Sequence, residues 1–146
     1  MANRKITVQE KRERRNALLE IMFESEFRKD ETPEDIYVIS AEDREFSLEV
    51  GNYVRAMYFD IIEKLDVIDE KINMAASGWK TTRISKLSLC ILRLAVYEML
   101  FVDDIPAVIS INEAVELSKK YDEPKAKSFI NGVLNKVKDS IEAENE

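Results

Sequence analysis

Between Ser85 and Phe101 the chain sets Leu87, Leu89, Ile91, Leu92, Leu94, Ala95, Val96, Met99 and Leu100, so a helix drawn through this stretch is apolar on most of its faces. Such a helix has no side suited to water and must be surrounded by other elements. Arg93 and Glu98 interrupt the run, which is too short and too charged to span a bilayer. The surrounding elements are then helices as well. The chain has only three Gly and three Pro in 146 residues, too little turn punctuation for an all-β protein, and no segment joins β-branched enrichment to strict alternation. A chain of this length is the usual size of one domain and buries roughly 68–70% of its extended surface on folding. The expectation is all-α: a single-domain helical bundle of six or seven helices over residues 1–146, without a sheet.

Caps and breakers place the remaining helices. Thr7 and Glu10 have the spacing of a capping box, which opens a first helix near Val8; its stripe of Leu18, Leu19, Met22 and Phe23 carries it to about Arg28. Residues 29–40 read as an acidic loop, and Ser40 with Asp43 opens the next helix. That helix turns Phe46, Val50, Tyr53 or Val54, Met57, Ile61 and Leu65 inward, with Gly51 permitting close approach of another helix. A short helix around 67–76 stops at Ser77-Gly78, and Trp79 caps the core from a loop. After the central helix, Asp103-Asp104-Ile105-Pro106 turns the chain into a helix through Ile111, Ala114, Val115 and Leu117 to Tyr121. Asp122-Glu123-Pro124 breaks it, and a last helix begins near Lys125 with Phe129, Ile130, Val133, Leu134 and Val137 inward; the acidic residues 142–146 are expected to fray.

The chain contains no histidine, which removes the commonest general base, the partner of Ser–His and Cys–His pairs, and the usual zinc ligand. Its carboxylates fall at helical surface spacings beside Lys and Arg, the pattern of a solvated face. No catalytic residue, metal or cofactor is expected. The single cysteine, Cys90, lies in the apolar helix, where a buried thiol acts as a small hydrophobe and fits a reducing compartment. With no apolar signal region at the N-terminus, the expected location is cytoplasmic.

Net charge is −7, which by itself argues against nucleic acid. Its distribution reverses that. Residues 1–15 hold Arg4, Lys5, Lys11, Arg12, Arg14 and Arg15 against Glu10 and Glu13, a side-chain balance of +4 that leaves −11 on the rest. A basic end suits RNA, and an acidic body suits a basic protein. Lys11, Arg12 and Arg15 fall on the same helical stripe as Leu18 and Met22, two turns earlier. Burying three cations without partners costs several kcal/mol each, so the first two turns are expected to project past the core and display them. Cations at a helix start also oppose the macrodipole by about 0.3–1 kcal/mol apiece, a cost that packing alone does not explain. In Phe129-Ile130-Asn131-Gly132-Val133-Leu134, two adjacent poor helix formers suggest a close contact at Gly132, with a helix or with RNA backbone. Arg93 reads as one member of an internal salt-bridge or capping set.

The phrases ILRLAVYEML (91–100), DIPAVISINEAVELSKKY (104–121) and FINGVL (129–134), in fixed order with short spacers, together resemble the transcription antitermination factor NusB family. The likeness extends to the basic first helix, to Leu48, Val50 and Gly51, and to Trp79. It implies an all-α RNA-binding protein that is not an enzyme. Its ligand would be a short single-stranded boxA element of nascent RNA, its partner a small-subunit ribosomal protein acting as NusE, and its target the elongating RNA polymerase, as in ribosomal RNA operons. Carried onto this chain, the likeness assigns RNA contact to Lys5, Lys11, Arg12, Arg14 and Arg15, with Lys127, Phe129 and Asn131 bordering the RNA groove. It assigns the ribosomal protein to Tyr97, Glu98, Phe101 and Glu113. The chain departs from the denser arginine runs of the family in having Lys11 between Glu10 and Glu13, a difference that bears on affinity. Two rivals remain: a helical protein–protein adaptor whose basic end meets an acidic partner, and a module of the kind that precedes ribosomal RNA cytosine methyltransferases. No glycine-rich cofactor loop follows in this chain, so that methyl transfer is not expected of it.

Overall fold

The stretch that is apolar all round forms α5 (Lys86–Phe101) in the computed structural model, which describes residues 6–76 and 84–145. Ser85 starts it, its Oγ accepting from the Ser88 N–H at 3.2 Å. Every residue from Ser88 to Glu98 except Arg93 is buried. The described residues hold six further helices and no strand: α1 (Val8–Ser25), α2 (Pro33–Glu42), α3 (Leu48–Glu63), α4 (Leu65–Ala75), α6 (Ala107–Tyr121) and α7 (Ala126–Glu144). Packing divides the chain into two compact units, Met1–Asp60 and Ile61–Glu146. The expected Ser77-Gly78 stop and the Trp79 cap lie outside the described residues.

In the second unit α5 packs against α4, α6 and α7. Its one interruption that is not fully buried is used: Arg93 Nε and Nη2 donate to Asp69 Oδ1 and Oδ2 of α4, both at 2.8 Å, an internal salt bridge of the kind the sequence suggested. Ser88 Oγ donates to Asp122 Oδ2 at 2.6 Å, tying the end of α6 to the start of α5. From α7, Ile130, Val133, Leu134 and Val137 turn inward as their spacing requires, while Phe129 is half-buried. The helix runs on through Glu144, across residues expected to fray, and Lys71 Nζ of α4 lies 2.5 Å from the Glu144 carboxylate.

In the first unit Thr7 caps α1 as the capping box predicts, Oγ1 accepting from the Glu10 N–H at 3.1 Å. The helix ends at Ser25, short of Arg28. Ser25 Oγ donates to the Ile21 carbonyl at 3.0 Å and shares a 2.7 Å hydrogen bond with the Tyr58 hydroxyl. The next N–H groups, of Glu26, Phe27 and Arg28, reach back only three residues, a tightening that ends an α-helix. Of the expected loop over 29–40, only residues 29–32 lie outside a helix. Thr32 Oγ1 accepts from the Asp35 N–H at 3.1 Å, Pro33 occupies the first turn, and Glu34 and Asp35 complement the helix dipole, so α2 starts there. Ser40, expected to open the next helix, lies buried inside α2 and donates to the Glu24 carboxylate. The helix after it opens instead at Leu48, with Ser47 Oγ accepting from the Val50 N–H at 3.2 Å.

On α3 the fully buried positions are Val54, Tyr58 and Ile61, with Val50, Tyr53 and Met57 half-buried. Gly51 meets the side chain of Phe46, which a Cβ would approach to 3.4 Å, and its carbonyl accepts from the Tyr37 hydroxyl at 3.1 Å. Close approach at this glycine therefore involves the segment before its own helix and an α2 tyrosine. Burial pushes the Tyr37 phenol up, opposed by Arg55. It does the same at Tyr58, where the Ser25 hydrogen bond opposes it and Glu24 adds to it.

Candidate nucleic-acid interface

The basic cluster begins where the Thr7 cap fixes the first turn of α1, and the helix then sorts its four cations by exposure. Lys11 and Arg12 are exposed. Arg14 is half-buried, its guanidinium carbon 3.9 Å from the centre of the Tyr53 ring on α3. Arg15 is 7% exposed and engaged within the protein. The expectation that Lys11, Arg12 and Arg15 would all project past the core thus fails at Arg15. Spaced three, four and seven residues before Leu18, Leu19 and Met22, it continues the stripe they bury, and the core edge cuts that stripe one turn earlier than the sequence suggested. Lys5 lies outside the described residues.

Next to the cluster, Glu13, Arg44, Glu45, Phe46, Ser47 and Val50 line a shallow depression. Arg44 is fixed there by its own bonds, to the Ser40 carbonyl at 2.5 Å and to Glu20 Oε1 at 2.8 Å. Tyr53 had no signal in the sequence beyond its place on an apolar face, because its pairing with Arg14 is made between helices far apart in the chain.

In the second unit Lys127 and Asn131 are exposed on α7, and Asn135 Nδ2 donates to the Asn131 carbonyl at 2.9 Å. A Cβ on Gly132 would meet nothing within 4 Å. The helix contact expected at that glycine is therefore absent among the described residues. The four residues marked for a protein partner separate by depth. Tyr97 and Glu98 are 5% and 3% exposed, so neither stands on a face. Glu98 Oε1 instead accepts from Ser110 Oγ of α6 at 2.8 Å, an internal tie between α5 and α6. Phe101 is 38% exposed, its ring 5.5 Å from that of Tyr97 and 5.0 Å from Lys64 Nζ. Glu113 is partly exposed. Among the described residues no group of three or more Cys, Asp or Glu is arranged to hold a metal ion, and no helix is long and apolar enough to cross a membrane.

The NusB family model matches residues 12–139. A transcription antitermination protein NusB from Ruminiclostridium cellulolyticum is 38% identical over 127 residues, covering 87% of each chain. The chain belongs to the NusB family. A second relative of the same description, from Acetivibrio thermocellus, is 41% identical over 133 residues and also covers 87% of each chain. Among solved structures, NusB of T. maritima superposes with a TM-score of 0.78 at 34% identity, covering 86% of this chain and 88% of that one. The NusB of a crystal structure with NusE and double-stranded RNA reaches a TM-score of 0.81 at 21% identity, over 92% and 99% of the two chains, and so shares the fold. The all-helical fold is the family's. The sorting of α1's cations into two exposed, one stacked and one buried belongs to this chain's own packing.

Proposed function

We propose that this protein is an RNA-binding transcription antitermination factor that is not an enzyme. It holds a boxA-type single-stranded RNA at the first helix, together with a ribosomal protein acting as NusE, and works in the cytoplasm on elongating RNA polymerase. The observation that carries the reading is the pair Lys11 and Arg12: two exposed cations at the unfavourable end of a helix dipole, in a chain whose relatives are named antitermination proteins. Lys5, Lys127 and Asn131 are also assigned to RNA, Lys127 and Asn131 being exposed on α7, while Arg15 is a buried part of the helix that carries Lys11 and Arg12. For the protein partner, Phe101 and Glu113 offer surface, while Tyr97 and Glu98 hold the helices under it.

The test is RNA binding by fluorescence anisotropy at several salt concentrations, with and without the purified ribosomal protein. Binding that steepens with falling salt and tightens with the partner supports the reading. A chain that binds the ribosomal protein but no RNA at low salt would instead be a plain protein–protein adaptor.

A further inference from the structure

Arg14 is unlike the other cations of α1. Its partner among the described residues is the Tyr53 ring rather than a carboxylate, and its Nε is shut off from solvent without a hydrogen-bond acceptor. A guanidinium clamps phosphate best through a two-pronged edge with its donors open in the plane, and here the Nε edge is closed. The setting also disfavours an anion: Glu13 and Glu45 line the depression beside it, and Val50, in that same lining, stands one turn before Tyr53 on α3. What the pair offers is a π surface. Guanidinium planes and aromatic rings both accept unpaired bases by stacking, with little regard for charge.

The geometry points to Arg14 on Tyr53 as a nucleobase platform, on which one unpaired base of the bound RNA stacks while Lys11 and Arg12 take phosphates. This rests on the RNA-binding reading above and deepens it, since it separates a residue that holds a base from those that hold the backbone. Tyr53 orients the guanidinium and is a positioning residue for it.

The experiment uses the full chain and a short single-stranded RNA in which a fluorescent purine analogue is placed at each position in turn. Arg14→Lys keeps the charge and loses the plane. It should weaken binding about tenfold, leave the dependence of affinity on salt unchanged, and restore the fluorescence that the wild-type protein quenches at one position. Tyr53→Leu should do the same and Tyr53→Phe should not. Should Tyr53→Leu lower the melting temperature, Arg14→Lys and the position-specific quenching decide. An Arg14→Lys protein that binds like wild type overturns the platform, because a point charge would then suffice. So does an Arg14→Ala protein whose salt slope falls by about 0.7, the share of one phosphate on a single strand. Failure of the wild-type chain to bind single-stranded RNA at all would instead overturn the RNA reading, and the platform with it.

Discussion

Replacing Arg93 with alanine removes the one charged side chain that breaks the buried run of α5, and the geometry sets what that should cost. Its two donors meet both Asp69 oxygens at 2.8 Å, with side-chain exposures of 12% for Arg93 and 23% for Asp69. Deleting one partner of a fully buried pair costs about 3–5 kcal/mol, whereas an exposed pair contributes about 0–1 kcal/mol. Here both groups are mostly covered, but the carboxylate left behind regains some water, so Arg93→Ala should cost about 2 kcal/mol. Arg93→Lys, which keeps the charge and loses the fork, should cost roughly half as much. Urea unfolding followed by helical circular dichroism gives these values for Arg93→Ala, Asp69→Ala and the double variant. The cycle should return a coupling of about 1–2 kcal/mol that persists in high salt, because a covered pair is screened little. A coupling below about 0.5 kcal/mol would place the pair with ordinary surface ion pairs and refute the claim that it anchors α4 to α5.

Lys11→Ala/Arg12→Ala should flatten the salt dependence of RNA binding by roughly 1.4, two phosphates' worth on a single strand, with the protein still folded; Arg15→Ala, at a covered position, should lower the melting temperature. The Tyr37 and Tyr58 phenols are raised above 10.0, chiefly by burial, so the neutral form is the one the fold favours. Their stabilising contribution is complete below pH 10.0 and is lost as pH rises through the folded-state values; Tyr58→Phe should lessen that alkaline loss when unfolding is followed against pH. Glu98→Lys puts a cation in a buried site and should cost on the order of 3–5 kcal/mol, whereas Glu113→Lys, at a partly exposed position, should cost less and weaken the ribosomal partner. Equal loss of stability in both would remove the distinction drawn between them.

Signals confined to a few residues were the legible part of this fold. Thr7 and Glu10 cap α1 because donor and acceptor lie within one turn, and α5 was recognisable because a helix apolar on most faces has only one kind of place to go. The same local rule applied to Thr32, Pro33, Glu34 and Asp35 would have found α2; their density of acid reads as loop only if its match to a helix dipole is overlooked. Where a mixed stripe meets the core edge is a different matter, since that edge is set by neighbouring helices and not by the stripe. Lys11, Arg12 and Arg15 share a stripe, yet packing covers only the last of them, and the Tyr53 that seats Arg14 is brought there by α3. Glu98 is a conflict of another sort. A helix surrounded on all sides covers its polar residues along with its apolar ones, so a central α5 and a partner face through Tyr97 and Glu98 were incompatible expectations. Such a helix can offer surface only at its ends, and α5 does so in its last turn, where Phe101 emerges beside Lys64.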